Sequence, residues 1–208
     1  MISMNIHRAL GEKKRYEERI DKLTDEIVLI GYKTNSAAKE YRTHAVVDDF
    51  NKSVKSQYDK IRAYIRNYNK LSEAILASNA VTIVEIGGVK MTVADAISKK
   101  TSIQLEQRLL FKMKSENNTA INRVNSKNED LEDTLMKLQE DAKKKETDNR
   151  DLIESTRKAS TWDTVDPLNL KKQIETFEEE ISKFVAEVDY VLSASNAATI
   201  IEVDIDEE

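Results

Sequence analysis

A ten-residue segment occurs twice in this chain and restricts the folds that are open to it. Residues 77–86 read Ala-Ser-Asn-Ala-Val-Thr-Ile-Val-Glu-Ile, and residues 194–203 read Ala-Ser-Asn-Ala-Ala-Thr-Ile-Ile-Glu-Val. Each copy ends a long helical pattern and begins a short β-branched run. The sequence therefore predicts one helix-turn-strand unit used at two places.

Few residues in the chain can stop a helix, because its 208 residues include four glycines and one proline. The content of 39% apolar and 34% charged residues is typical of long helices with narrow buried stripes. We expect a mainly α fold, with long coiled-coil-like helices forming an elongated bundle and a small three-stranded β-sheet at one end.

Charge and hydropathy exclude several classes of partner. The net charge is −5 with the signs interleaved, and the basic run at Lys143, Lys144 and Lys145 is bracketed by Asp141 and Glu146, which argues against nucleic acid. No stretch reaches the roughly 20 apolar residues of a spanning helix, and no signal peptide is recognisable. We expect a cytoplasmic or virion location and no membrane association. The absence of cysteine removes disulfides and thiolate metal sites.

Heptad patterns predict two helices in the first part of the chain. Apolar residues at three- and four-residue steps predict helix 1 over about 3–33. Val47, Val54, Ile61, Tyr68 and Ile75 then recur at every seventh position, with Phe50, Tyr64 and Leu71 on the companion track, and predict helix 2 over about 44–77. Asn79 follows at a position that suits a left-handed helix end.

A short hairpin is predicted after the second helix. Residues 81–86 alternate and are β-branched, and Gly87 with Gly88 can supply the positive φ angles of a two-residue turn, so residues 89–91 should fold back antiparallel. Thr92 with Asp95 three residues later resembles a capping box at the start of a third helix.

The third helical pattern is very long and carries polar residues on its seam. One track has Leu110, Asn117, Val124, Leu131, Leu138 and Leu152, and the other has Ile121, Asn128, Leu135, Ala142 and Asn149. The seam asparagines either fix helix register or lie in solvent on a face that is not buried. The predicted segments are a helical hairpin over 1–80, a β-hairpin over 81–92, one long helix over 93–160, and a helix, strand and acidic tail over 161–208.

The pattern stops near Trp162, and the interval to Pro167 is either a bend or an exposed contact loop. Asp166 and Pro167 predict an N-cap and first helical residue. Ile174, Phe177, Ile181, Phe184, Val188 and Val191 then form a seam that ends at the second Ser-Asn-Ala, and residues 199–205 would add the third strand to the hairpin.

We find no pattern of catalytic, cofactor-binding or metal-ligating residues, and predict no enzyme activity, cofactor or small-molecule substrate. His7 and His44 lie apart, and Gly87-Gly88 lacks the context of a phosphate loop. The acidic end at 202–208 is interpreted as a solvated tail rather than a cation site. The side chains expected to serve packing or interactions are Val54, Ile61, Tyr64, Tyr68, Leu71, Asn79, Val84, Gly87, Gly88, Asn117, Val124, Asn128, Leu131, Leu135, Leu138, Phe177, Ile181, Phe184, Asn196 and Ile201.

Part of the chain resembles a bacterial and phage-borne helical family described as septicolysin-like. The resemblance lies in the long helix ending in an asparagine, Thr82, the glycine turn and the run Met91-Thr-Val-Ala-Asp-Ala-Ile97, with Asp189, Asn196 and Thr199 near the end. The chain departs from that pattern at Ala197, where a tryptophan is expected. The resemblance implies a coiled-coil scaffold with a small sheet and supplies no catalytic residue.

Three hypotheses for function follow from these patterns. The first is a non-catalytic structural or assembly protein that self-associates through its helical seams, as a homo-oligomer or as part of a larger assembly such as a phage virion. The second is a membrane-active or pore-forming protein, as the family description suggests. The third is a helical adaptor that binds a partner protein.

Overall fold

The fold is mainly α-helical, as the composition predicts. A computed structural model describes residues 1–144 and 148–205. Over these residues the order is β1 (Ile2–Asn5), α1 (Ile6–Glu26), α2 (Val47–Val81), β2 (Ile83–Ile86), β3 (Val89–Thr92), α3 (Val93–Lys144), α4 (Arg150–Ser160), α5 (Leu170–Ala198) and β4 (Ile200–Val203). One compact unit contains Met1–Lys100 and the chain from Ala186 onward, and the other contains Thr101–Val185.

The strands form two antiparallel pairs, so the prediction of one three-stranded sheet is wrong. β2 pairs with β3 across the predicted turn, where Gly87 and Gly88 have φ angles of 59° and 77°. β4 pairs instead with β1, in a register that places Ile2 opposite Val203 and Met4 opposite Ile201. The N-terminal strand was expected to belong to helix 1 and takes the position beside β4.

The duplicated segment forms the same structure in both places. The amide of Thr82 donates to the carbonyl of Ser78 at 2.9 Å, and the amide of Thr199 donates to that of Ser195 at 2.9 Å. In each following strand the second and fourth residues are buried and the first and third are exposed. The expected left-handed conformation of Asn79 does not occur, because α2 continues to Val81 and Thr82 ends it with extended backbone.

The duplication extends beyond that segment to an order of strand, helices and strand, with two helices in the first repeat and three in the second. The first repeat, residues 2–86, contains β1, α1, α2 and β2, and the second, residues 89–203, contains β3, α3, α4, α5 and β4. Each strand pairs with a strand of the other repeat. Ile6 donates its amide to the carbonyl of Thr199 at 3.0 Å, and the corresponding Val93 donates to that of Thr82 at 2.9 Å.

The two first helices start with equivalent caps and equivalent buried residues. The Asn5 side chain accepts from the amide of Arg8 at 2.8 Å, and the Thr92 hydroxyl accepts from that of Asp95 at 3.0 Å, which confirms the predicted cap at Thr92. One turn into each helix lies a fully buried alanine, Ala9 or Ala96. Small side chains at these positions let each helix start close to its neighbours.

The core of the first unit lies between α1, α2 and the β1–β4 pair. Its buried members are Met4, Ile6, Ala9, Tyr16, Tyr64, Leu71, Ile75, Ile201 and Val203. Helix 1 is shorter than the predicted span of 3–33, since α1 ends at Glu26 and Ile27 is extended, with a φ of −72° and a ψ of 130°. Burying these aliphatic and aromatic groups supplies most of the stabilisation of this unit, at roughly 25 cal/mol per Å² removed from water.

Two helices replace the single helix predicted over 93–160. α3 ends at Lys144 and α4 begins at Arg150, preceded by Asp148 and Asn149 with non-helical backbone. The predicted α3 seam is nonetheless the less exposed face, with Leu135 and Ala142 buried and Val124, Leu131 and Leu138 half-buried. α5 begins at Leu170, three positions after the predicted start, because residues 167–168 form a turn and Asn169 has a positive φ of 52°.

Candidate interaction site

The segment that joins α1 to α2, residues 27–46, is the longest interval between described elements of the first repeat. Loops longer than about 12–15 residues without regular structure are uncommon in compact domains and often functional. This α1–α2 loop has its own hydrogen bonds: Tyr41 donates its amide to the carbonyl of Tyr32 at 2.9 Å, and Glu40 donates to Ala45 at 3.0 Å. The backbone therefore has a defined conformation of its own.

The carboxylate of Glu40 holds the second half of the loop. Glu40 is 3% exposed, and its oxygens accept from the backbone amide of Arg42 at 2.8 Å and from both the amide and the hydroxyl of Thr43. Burial raises the pKa of this carboxyl, but the hydrogen bonds from Thr43 and Arg42 and the nearby His44 lower it more, so the net pKa lies below its ordinary value of 4.5. The loop thus depends on an ionised carboxylate in its centre.

Gly31 allows the close approach of this carboxylate to the other half of the loop. A Cβ atom at Gly31 would lie 2.7 Å from Oε2 of Glu40. The guanidinium of Arg42 also links the two halves, because it donates a hydrogen bond to the carbonyl of Ile30 at 3.1 Å. The two halves of the loop are therefore held together by contacts that need a glycine at position 31.

Apolar and aromatic side chains stand on the outside of this ordered backbone. Ile30 is 76% exposed and Leu29 55% exposed. The rings of Tyr32 and Tyr41 stack with centroids 6.0 Å apart and planes within 7°, while both side chains remain largely exposed. Rigid exposed aromatic groups of this kind are characteristic of binding surfaces.

The exposed charges of the loop are basic. Lys33, Lys39 and Arg42 are exposed, whereas the one carboxylate of the loop, at Glu40, is buried. Lys33 and Arg42 donate to backbone carbonyls, and within the described residues none of the three cations lies within 4.0 Å of a carboxylate oxygen. Their charge is not neutralised by the chain itself.

A cleft of about 290 Å³ lies between this loop and the first turns of α2. Its walls are Glu26, Val28, Thr43, Ala45, Asp49, Phe50, Ser53, Val54 and Gln57. Phe50 and Val54 were predicted as members of the helix 2 seam, and the structure places them beside the loop instead of in the core of α1 and α2.

A second exposed segment lies between α4 and α5. The side chain of Asn128 on α3 forms two hydrogen bonds to the backbone of Trp162, accepting from its amide at 2.8 Å and donating to its carbonyl at 3.0 Å. Trp162, Val165 and Leu168 are all more than half exposed. Asn128 thus has a partner within the chain, and the interval near Trp162 is an exposed loop.

The larger cleft, of about 750 Å³, lies where α3 ends and α4 begins. Its lining includes Arg150 and Arg157, but both are paired: Arg150 with Asp148 at 2.8 Å and Arg157 with Glu132 at 2.7 Å. The hydrogen bonds from Arg150 lower the pKa of Asp148 to about 2. These two cations are therefore neutralised within the chain, whereas Lys143, which also lines the cleft, is exposed.

The residues expected to serve packing or interactions differ in exposure. Buried are Ile61, Tyr64, Leu71, Val84, Leu135, Ile181, Phe184 and Ile201. Half-buried are Val54, Tyr68, Asn79, Gly87, Asn117, Val124, Asn128, Leu131, Leu138, Phe177 and Asn196, while Gly88 is exposed in its turn. Leu152 is exposed. Residues 206–208 of the acidic end, and Lys145 of the basic run, lie outside the described residues.

Sequence reasoning missed the α1–α2 loop. The sequence patterns gave no reason to single out Tyr32, Glu40 or Gly31. A signal was present in the run of apolar residues that continues past the end of α1 at 27–30 without a helical partner face.

The described residues contain neither a metal-ligand cluster nor a membrane-spanning helix. Across the described ranges, no three His, Asp or Glu side chains come together as a metal site would require. None of the helices in those ranges combines the length and apolar character of a membrane span. No protein-family model, curated protein or solved structure matches the chain.

Proposed function

We propose that this protein is a non-catalytic helical scaffold that binds a partner protein through the α1–α2 loop. The observation that supports this most directly is the combination in one segment of an ordered backbone, built around Glu40, with exposed Leu29, Ile30, Tyr32 and Tyr41. A loop that is already ordered loses little conformational entropy on binding, and its exposed apolar groups would be covered by the partner.

The placement of the heptad residues favours this function over association through the seams. Tyr64, Leu71, Ile181 and Phe184 are already buried within the chain. A seam that is covered by its own chain cannot also pack against a second one. The loop and the adjoining cleft are a surface of the first repeat that stays open to a partner, and exposed Leu76, Val81 and Ile83 lie elsewhere in that repeat.

Site-specific photo-crosslinking would test this proposal. A benzophenone amino acid at Ile30, introduced into the full chain in the cells that make it, should give a defined crosslinked species. The matched control places the same group at Glu18, which is exposed on α1. Equal crosslinking at both positions, or none at position 30, would contradict binding through the loop.

A second candidate is self-association as a structural component, such as a subunit of a phage virion or another particle. The observation in its favour is a group of exposed apolar residues on α3, namely Leu105, Leu109 and Phe111. Light scattering coupled to size exclusion, at low and high salt, should then report an oligomer that Leu105→Ser with Leu109→Ser dissociates. A monomer at all salt concentrations would rule this out.

Kinship with septicolysin-like proteins is part of the same proposal and is suggested by the residues at 82–97 and 189–199. That kinship would raise the membrane-active alternative. Dye release from liposomes of varied composition tests it directly, and the expected result is no leakage.

A cytoplasmic or virion location is the corresponding proposal for where the scaffold acts.

A further inference from the structure

We propose that the α1–α2 loop binds an acidic polypeptide segment that also carries apolar side chains. This inference rests on the proposed function, because it specifies the partner of the same surface. The evidence for this inference is the set of charged and apolar side chains that the loop exposes.

The charges of the loop make its surface basic. In this segment the carboxylate of Glu40 accepts from the amides of Arg42 and Thr43, whereas Lys39 is exposed and Lys33, also exposed, donates to the carbonyl of Ala37 at 3.3 Å. The guanidinium of Arg42 donates to a carbonyl, which leaves its charge uncompensated. A partner with carboxylates would therefore gain ion pairs here without displacing existing ones.

The rest of the chain has the opposite sign. The whole protein has a net charge of −5, and acidic residues flank the loop at both helix ends, with Glu26 closing α1 and Asp48 and Asp49 opening α2. An acidic partner is repelled by these groups and attracted by the loop between them. Charge complementarity thus favours an acidic partner at residues 29–42 and disfavours a basic partner at the same place.

The apolar groups define the second requirement. Ile30 and Leu29 are exposed beside the stacked rings of Tyr32 and Tyr41. Each ion pair at a solvent-exposed rim contributes little to affinity, so three of them alone would give weak binding. The partner segment must also cover these apolar groups, which makes it a sequence of mixed acidic and apolar residues.

Selection from a random-peptide display library, with the full-length protein as the immobilised target, tests the inference. Enriched peptides should contain more Asp and Glu, and more aliphatic and aromatic residues, than the unselected library. Lys33→Ser with Lys39→Ser keeps Arg42 and its bond to Ile30, and should weaken binding of the enriched peptides by roughly ten-fold. The control, Lys171→Ser with Lys172→Ser, removes the same charge from an exposed part of α5 and should leave binding unchanged.

The outcomes separate this inference from the proposed function. Enriched peptides that are neutral or basic, that resist the lysine substitutions and that are lost with Ile30→Ser would overturn the acidic partner while leaving the loop as a binding surface. Peptides that bind equally to the wild-type protein and to Ile30→Ser with Tyr32→Ser would overturn both. Acidic, apolar peptides sensitive to both sets of substitutions would support both.

Discussion

The two repeats each begin and end with a strand, share those strands and the adjoining helix turns, and differ in the interval between the first and last helix. Ile6 corresponds to Val93, Ala9 to Ala96, and Leu71 to Val188, and all six side chains are buried. Two polar contacts also correspond. Lys70 lies 4.0 Å from Asp204, and Glu187, at the position equivalent to Lys70, accepts from the amide of Gly87 at 2.7 Å. The same positions are thus used in both repeats where the strands pair.

The first difference between the repeats is in the chemical character of two equivalent pairs of buried side chains. In the first repeat the side-chain amide of buried Asn67 donates to the hydroxyl of buried Tyr16 at 3.3 Å. The corresponding positions of the second repeat are Phe184 and Ile103, which are also buried. A polar pair and an apolar pair thus occupy equivalent positions, which is expected when volume and satisfaction of polar groups matter more than identity.

The second difference is in the intervals between the helices. The first repeat has the α1–α2 loop with its internal carboxylate, whereas the second has α4 and the exposed segment fixed by Asn128. Nothing in the strand pairing requires either arrangement. The comparison indicates that the duplicated part serves folding and that the intervals are free to serve binding.

The largest expected effects come from charges on the inner faces of both strand pairs. Val84→Asp and Ile201→Asp each place a carboxylate at equivalent positions that are 8% exposed. We expect each to lower the free energy of unfolding by about 3–5 kcal/mol, because the charge would be buried without a partner. Urea unfolding followed by circular dichroism measures both.

Matched controls lie one residue earlier on the outer faces. Ile83 and Ile200 are 59% and 67% exposed, so Ile83→Asp and Ile200→Asp should change stability by no more than about 0.5 kcal/mol. If an inner and an outer substitution in the same strand had equal effects, the shared burial pattern of the repeats would be refuted.

Exchange of the buried pair tests whether the two repeats are interchangeable. Tyr16→Ile and Asn67→Phe should each destabilise the protein, but together they install the pair found in the second repeat. We expect the double variant to be more stable than the sum of the single effects by about 0.5–3 kcal/mol, as measured in a double-mutant cycle. Strict additivity would mean that the two positions are not coupled.

The sequence predicts those parts of the fold that rest on local patterns. The heptads identified the buried faces of α2, α3 and α5, the glycine pair identified the hairpin turn, and Thr92 with Asp95 identified the start of α3. In each case the residues that determine the structure are neighbours in the chain.

The missed features depend on contacts that are distant in sequence or on the environment of a common residue. β1 is only four residues long and its partner β4 lies at the other end of the described chain, so Ile2 and Met4 had no local partner to indicate a strand. Glu40 is an ordinary surface residue type, and its burial follows from the folding of the loop around it. The site was therefore less predictable than the helices.

Two glycines of the first repeat give a smaller and more specific test. Gly11 lies in α1 with nothing within 4 Å of an added Cβ, so Gly11→Ala should stabilise the protein by about 0.5–1 kcal/mol. Gly31→Ala would place a methyl group against the carboxylate of Glu40 and should break its hydrogen bonds. Amide hydrogen exchange at Arg42 and Thr43 should therefore accelerate for Gly31→Ala and stay unchanged for Gly11→Ala, and the reverse pattern would refute the role of Gly31.

The conformation of the α1–α2 loop should depend on pH. Because the folded loop lowers the pKa of Glu40 below 4.5, its stabilising effect is complete above pH 4.5 and is lost as the pH falls through the lowered pKa. NMR shifts of the Arg42 and Thr43 amides should follow this loss. Glu40→Gln should remove the transition, and a transition that persisted in this variant would have to come from another group.

A small effect on global stability is expected when the hydrogen bonds between Asn128 and the backbone of Trp162, in the second repeat, are removed. Asn128→Ala removes two hydrogen bonds to the backbone of Trp162, but water can replace them at this exposed position, so the free energy of unfolding should fall by only about 0.5–1 kcal/mol. Since Trp162 is the single tryptophan, its fluorescence reports the segment directly, and its emission anisotropy should fall as the backbone is released. Asn117→Ala, on the same helix, is the control and should leave the anisotropy unchanged. An equal response to both substitutions would mean that α3 as a whole, and not the side chain of Asn128, holds the Trp162 segment.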